Sequence, residues 1–371
     1  MSATATDTTE PVAAELSTLD RFLPVWIGLA MVTGLLLGRL LPDLGDWLDG
    51  IKVGTVSLPI AIGLLAMMYP VLAKVRYRHI GNELADRRTI ALSLVLNWLV
   101  GPALMFTLAW VFLGDLPELR TGLIIVGLAR CIAMVLIWND LACGSRELGA
   151  VLVAVNSVFQ IVMYSVLGWF YLTVLPSWLG LDTQSLDVGL WDIARSVLIF
   201  LGLPLVAGFL TRSIGEARRG TAWYEQTFLP RIGPLALWGL LFTIVVLFAL
   251  QGEQITDRPL DVARVAVPLL VYFAVMWFGA FITGYRLGLP YDRNASVAFT
   301  AAGNNFELAI AVAIAVFGVT SGQALAGTIG PLIEVPVLVA LVYVALWARR
   351  RWYPGAAEAP AAAGAGVTSG R

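Results

Sequence analysis

Charge is scarce in this sequence: only 13% of its 371 residues are Asp, Glu, Lys or Arg. A soluble domain carries about 25%, so an ordinary water-facing surface is excluded. Cysteine is scarcer still. Cys131 and Cys143 are the two present, and two cannot make a disulfide framework. On one continuous helix their offset of twelve positions spans roughly 18 Å, far beyond disulfide reach. The single histidine, His79, lies in a basic loop with Arg76 and Arg78. That leaves no Ser/His/Asp arrangement and no paired metal-ligand spacing, and there is no Walker loop. The sequence therefore predicts neither an enzyme nor a cofactor, and ATP is not its energy source. Basic excess is missing too: 24 Lys and Arg stand against 25 Asp and Glu, a net charge of −1, so nothing argues for nucleic acid.

What fills the chain is apolar: 59% hydrophobic residues and a mean hydropathy of +0.83. Ten apolar runs stand near 22–41, 53–73, 89–113, 119–140, 147–175, 192–213, 232–250, 264–285, 292–317 and 323–348. Each is long enough to cross a ~30 Å hydrocarbon core as a helix. The expected architecture is an all-α polytopic membrane protein with a transmembrane domain over residues 21–350. Residues 1–20 and 351–371 read as disordered cytoplasmic tails, poor in core-forming residues. Loop charge sets the orientation. Seventeen Lys and Arg fall on the side of both tails and six on the other, with Arg130 inside a span. Both termini are thus expected in the cytoplasm of a multi-pass protein of the cell inner membrane, as an even span count requires.

An internal repeat is also visible. Gly28 to Gly34 in the first span lines up with Gly202 to Gly208 in the sixth at an offset of 174, and Pro59 with Pro234 at 175. Five spans per half is an odd number, so the halves, about 21–175 and 190–350, must be inverted, a common transporter architecture.

Charges in mid-span are expensive and usually functional. Arg130 in span four, Glu307 in span nine and Glu334 in span ten are such charges. Gly303-Asn304-Asn305-Phe306-Glu307 is a poor helix sequence, because Gly costs backbone entropy and Asn competes for backbone hydrogen bonds. At bilayer depth it predicts a broken helix lining a cavity. Span four offers only Gly127 as a breaker. Plainer readings stand beside these: Cys131 as a small apolar filler, Arg130 as a counter-ion to a carboxylate, and Glu334, between Pro331 and Pro336, as a group satisfying a freed carbonyl. Cys143, beside Gly144 at a span end, reads as inert.

The segments Arg130-Cys-Ile-Ala-Met-Val-Leu-Ile-Trp-Asn-Asp-Leu-Ala142, Val155-Asn-Ser-Val-Phe-Gln160, Gly168-Trp-Phe-Tyr-Leu-Thr-Val-Leu-Pro176, Ala302 to Ile314 and Gly330-Pro-Leu-Ile-Glu-Val-Pro-Val337 carry a resemblance. Through them the chain resembles the arsenite efflux permeases of the arsenical-resistance type, within the bile acid/sodium symporter-like superfamily. The resemblance covers about residues 20–350. It implies ten spans with four and nine broken and crossing at midplane. It also implies export of arsenite, with antimonite a further candidate, in exchange for protons, giving arsenic resistance. Cys131 and Glu307 would be essential. The residues suit that chemistry, because trivalent arsenic is soft and favours thiolate. A cavity lined by Asn304, Asn305 and a carboxylate suits the hydroxyls of neutral arsenous acid. The expected substrate-binding residues are therefore Cys131, as the ligand of arsenic, with Arg130, Asn304, Asn305 and Glu307. Glu307 and Glu334 are the expected proton-coupling groups, and Asn97, Asn139 and Asn156 the supporting polar ones. The alternative keeps the fold and changes the cargo. In a sodium-coupled organic-anion (bile acid-like) symporter, Glu307, Asn97, Asn139 and Asn156 coordinate Na⁺. Nothing in that reading explains Cys131.

Overall fold

The computed structural model describes residues 23–41, 52–53, 56–75, 86–132, 134–181, 190–257 and 259–354. The two expected tails, apart from 351–354, lie outside the described residues, as does His79. Apart from an antiparallel strand pair, Lys52–Val53 with Val56–Ser57, the described elements are helical. They are α1 (Leu23–Leu40), α2 (Leu58–Ala73), α3 (Arg87–Leu113), α4 (Pro117–Leu128), α5 (Met134–Leu141), α6 (Arg146–Trp178), α7 (Leu190–Arg219), α8 (Thr221–Gly252), α9 (Pro259–Arg286), α10 (Tyr291–Ala302), α11 (Phe306–Phe317) and α12 (Gly322–Trp352). Six of these, α3, α6, α7, α8, α9 and α12, are long and apolar enough to cross a membrane.

Their outward faces are apolar: Val111 is 71% exposed, Trp238 67% and Val162 63%. Faces of that kind mark a lipid or protein partner rather than water. The chain is a polytopic membrane protein. The run at 53–73 becomes a helix only from Leu58, because β-branched Val53 and Val56 pair as antiparallel strand ahead of it.

Four single π-turns, Leu96–Val100, Phe170–Val174, Leu198–Gly202 and Tyr224–Phe228, interrupt the long helices. Each stands just ahead of a proline: Pro102, Pro176, Pro204 and Pro230. A helix-interior proline lacks the N–H and crowds the carbonyl four residues back, so the ladder widens by one residue there. Prolines thus place Asn97 and Trp98 on a widened turn.

The helices pack in two sets bridged by α7, which also meets α6 and α11. α1 and α2 lie against α8, and α2 against α7, while α3, α4, α9, α10, α11 and α12 pack among themselves with α6. A Cβ on Gly34 would sit 2.6 Å from Phe248 Cβ, so α1 meets α8 at a glycine. Close approach through small residues is what holds helices together in lipid.

Asp86 caps α3. Its carboxylate accepts from the Thr89 amide (3.2 Å) and hydroxyl (2.7 Å) and from Arg293 Nη2 (2.9 Å). The Thr89 hydroxyl, ahead of Arg293, holds the Asp86 carboxyl below its ordinary range, against a smaller opposing effect of burial. A depressed carboxyl contributes stability above its unfolded value and loses it as pH falls through the folded one. Asp86→Ala is therefore expected to destabilise the detergent-solubilised protein by about 1 kcal/mol near neutrality. In thermal unfolding scans the gap should close as pH drops below about 4.

Candidate substrate site at the crossing of two broken helices

Two helices break opposite one another. α4 ends at Leu128, after which Ala129 is extended (φ −83°, ψ 124°). α10 ends at Ala302, after which Gly303 is extended (φ −70°, ψ 138°). The two stretches pair as an antiparallel bridge between Arg130 and Asn304. The Cys131 amide donates to Gly303 O (3.2 Å) and the Asn305 amide to Ala129 O (3.1 Å). Side chains hold the remaining amides. The Arg130 N–H donates to Gln160 Oε1 and the Asn304 N–H to Glu334 Oε1 (3.4 Å). Unwound backbone at bilayer depth survives only when satisfied in this way. The break expected in span nine is present. The one in span four is held from outside, by strand-like pairing and Gln160, which explains why the local sequence carries so little sign of it.

Arg130 is fully buried. Its Nη1 donates to the Tyr272 hydroxyl (2.7 Å) and its Nη2 to Gly127 O. Gly127 lies in the last turn of α4, where the helix dipole favours a cation. Among the described residues, a phenol and a carbonyl thus take the place of the carboxylate expected as its counter-ion. A Cβ on Gly101 would lie 2.8 Å from Nη1, so glycine there makes room for the guanidinium. Cys131 is buried beside it, and a Cβ on Gly303 would come within 2.9 Å of Cys131 Cβ. Nothing larger than glycine fits that crossing without a shift.

Asn304 and Asn305 are both buried. Asn305 caps α11 by accepting from the Leu308 amide (3.0 Å), while its Nδ2 and both polar side-chain atoms of Asn304 have no hydrogen-bond partner among the described residues. Glu307 occupies the first turn of α11 and is partly accessible. A helix N-terminus favours a carboxylate there. Glu334 is buried and close enough to Glu307 for the charges to interact. The reading of Glu334 as support for a freed carbonyl takes a different form: it accepts an amide proton of the α10–α11 break.

The three supporting asparagines part company. Asn156 is buried on α6 and accepts from the Trp98 indole (3.1 Å). Asn97, next to Trp98, donates to Ser93 O (2.8 Å). Asn139 is placed elsewhere. It donates to Ser145 O (3.1 Å) and accepts from the Ser296 hydroxyl (2.8 Å), tying the turn after α5 to α10. The helical rise of α5 carries it roughly 8 Å past the first residue of that helix, and its polar atoms serve the turn. Cys143 lies beyond α5 with φ +54°, so Cys131 is the thiol of the crossing. Among the described residues no three His, Cys, Asp or Glu side chains gather as a metal cage.

Sequence reasoning missed Gln160, Tyr272 and Trp98 as site residues. A signal existed for one: Asn156 and Gln160 stand four apart in an apolar run, which puts two amides on one helix face.

Residues 61–258 match the Sodium Bile acid symporter family. The chain is also 59% identical over 350 residues to the Arsenical-resistance protein Acr3 of Corynebacterium glutamicum, covering 94% of this chain and 95% of that one. The chain belongs to this family, in its arsenical-resistance group. Another relative, an Arsenical-resistance protein Acr3 from Alkaliphilus metalliredigens, is 32% identical over 91% of this chain and 95% of its own. An uncharacterized transporter of Synechocystis is 37% identical over 89% of this family member and 88% of its own length.

Proposed function

We propose that this chain exports arsenite from the cytoplasm across the inner membrane in exchange for protons, giving arsenic resistance. The observation that carries the reading is a buried thiol, Cys131, on unwound backbone where two broken helices cross, in a chain whose relatives are named for arsenical resistance. Thiolate is the ligand trivalent arsenic prefers. One thiol at the crossing, rather than three, suits a carrier that must release what it binds. Arg130, Asn304, Asn305 and Glu307 complete the proposed substrate site, and Glu307, with Glu334 second, carries the proton.

The membrane architecture belongs to the same proposal: ten spans, α4–α5 and α10–α11 each forming one, arranged as two inverted five-helix repeats with both termini cytoplasmic. Supporting it, the hydrogen bonds of the crossing repeat at an offset of 174. Arg130 to Gln160 matches Asn304 to Glu334, and Cys131 to Gly303 matches Asn305 to Ala129. The glycines at the same offset agree, since Gly34 meets α8 and Gly208 meets α2.

The sodium-coupled reading is weaker, because two of its proposed oxygen ligands are engaged. Asn139 Oδ1 accepts from Ser296 and Asn156 Oδ1 from Trp98. The test is arsenite accumulation in everted vesicles with an acid lumen. At one proton per arsenite, a gradient of one pH unit sustains about a tenfold accumulation, unchanged by added Na⁺. Accumulation that requires Na⁺ and ignores the pH gradient overturns the reading.

A further inference from the structure

Around the crossing, several buried amide atoms have no partner among the described residues: Asn97 Oδ1, Asn156 Nδ2 and Gln160 Nε2 are three of them. Their orientation is dictated by neighbours that can play one role each. The Trp98 indole N–H can only donate, so the oxygen of Asn156 must face it and the NH₂ group turns away. The Arg130 backbone N–H can only donate, so it fixes Gln160 the same way. Ser93 O can only accept, so Asn97 turns its NH₂ toward it and leaves its oxygen free. Asn156 and Gln160 stand one helical turn apart on one face of α6, and Gln160 holds the residue adjoining Cys131. Unpaired buried polar groups are rare and call for an explanation.

We propose that Asn156 and Gln160 are the hydroxyl-reading residues of the arsenic site, donating their free N–H groups to oxygens on arsenic, while Asn97 Oδ1 accepts a hydroxyl proton. The inference rests on the arsenite reading above. Arsenous acid reaches Cys131 by formation of an S–As bond and loss of one As–O bond. The thiol proton leaves with that hydroxide as water, so arsenic stays trivalent and Cys131 carries an uncharged –As(OH)₂ group. Two donors and one acceptor match such a pair of hydroxyls, which both accept and donate. A fully deprotonated oxyanion finds no use for the Asn97 oxygen, and a bare cation meets two N–H groups. This arrangement therefore selects a neutral metalloid hydroxide.

The test uses the full chain in everted membrane vesicles, with Cys143→Ser leaving Cys131 as its one cysteine. Modification of Cys131 by methyl methanethiosulfonate is followed by mass spectrometry, and two arsenicals are titrated as protectants: arsenite, and dimethylarsinous acid, (CH₃)₂AsOH. Once bound to sulfur, the second retains no hydroxyl. Gln160→Glu and Asn156→Asp each keep the acceptor that Arg130 or Trp98 needs and lose the free NH₂. Each is expected to raise the half-protecting arsenite concentration about tenfold, the scale of one lost hydrogen bond, and to leave dimethylarsinous acid within about twofold. Both bound species are uncharged, so the added carboxylate acts on them alike. Either variant decides the matter if the other fails to reach the membrane. Unchanged arsenite protection, or equal losses for both arsenicals, overturns the inference and leaves the amides as structural pegs. Failure of either arsenical to protect Cys131 in the parent chain instead sinks the arsenite reading itself.

Discussion

Cys131→Ser is expected to reduce arsenite export to background, while Cys143→Ser leaves it close to wild type. Serine preserves the size and the backbone of the crossing, where the amide of residue 131 donates to Gly303 O (3.2 Å), so the two variants separate sulfur chemistry from folding. A hydroxyl oxygen is a hard ligand and trivalent arsenic a soft centre. Loss of the thiol therefore removes the bond that holds the cargo while the broken helices remain paired. Cys143 sits in a turn beyond the end of α5, with its backbone in the left-handed region (φ +54°), away from the paired breaks. Accumulation in everted vesicles, at matched protein levels, is the measurement. Equal transport by wild type and Cys131→Ser would remove the thiol from the mechanism, and with it the reason for preferring arsenite.

Glu307→Gln is expected to abolish arsenite-driven proton movement in reconstituted liposomes. A proton on Glu307 and arsenic on Cys131 are taken to exclude one another. Cytoplasmic arsenite then loads as the proton leaves, the core helices move, and an external proton expels the arsenic. Exchange is enforced because the empty carrier with a charged Glu307 cannot cross, since it would strand a bare charge in hydrocarbon. The amide of the Glu307→Gln variant imitates the permanently protonated state, so that variant should also bind arsenite weakly. Glu334→Gln is expected to be milder. Glu334 Oε1 accepts the Asn304 amide (3.4 Å), and a glutamine oxygen accepts the same bond, so the crossing keeps its geometry. Wild-type proton counterflow in Glu307→Gln, with loss in Glu334→Gln, would move the coupling role to Glu334.

Much of this protein is legible from its residues one at a time. The apolar runs, the charges Arg130, Glu307 and Glu334 inside those runs, and the Gly-Asn-Asn break all announce themselves, because each violates or obeys a rule set by the bilayer rather than by neighbours. The span-four break is different. Ala129 to Cys131 contain no strong helix breaker, and what opens the helix there is the pairing with residues 303–305 and the acceptor Gln160. Gln160 itself is an ordinary neutral residue thirty positions away from the amide it satisfies. Asn139, expected as a supporting polar residue, is bonded in the turn after α5 through Ser145 and Ser296, partners its own sequence position does not reveal.

The division has a physical cause. Composition and the length of the apolar runs alone determined that the chain is helical and membrane-embedded, because transfer of a side chain into hydrocarbon depends on the side chain itself. The family motifs, equally local, indicated the family. Only the tertiary structure decided that two breaks meet as a bridge, that a phenol and a carbonyl hold Arg130, and which end of each buried amide meets a partner. Those outcomes depend on which donor meets which acceptor between segments far apart in the chain, and a hydrogen bond is set by that geometry, not by the identity of either partner alone.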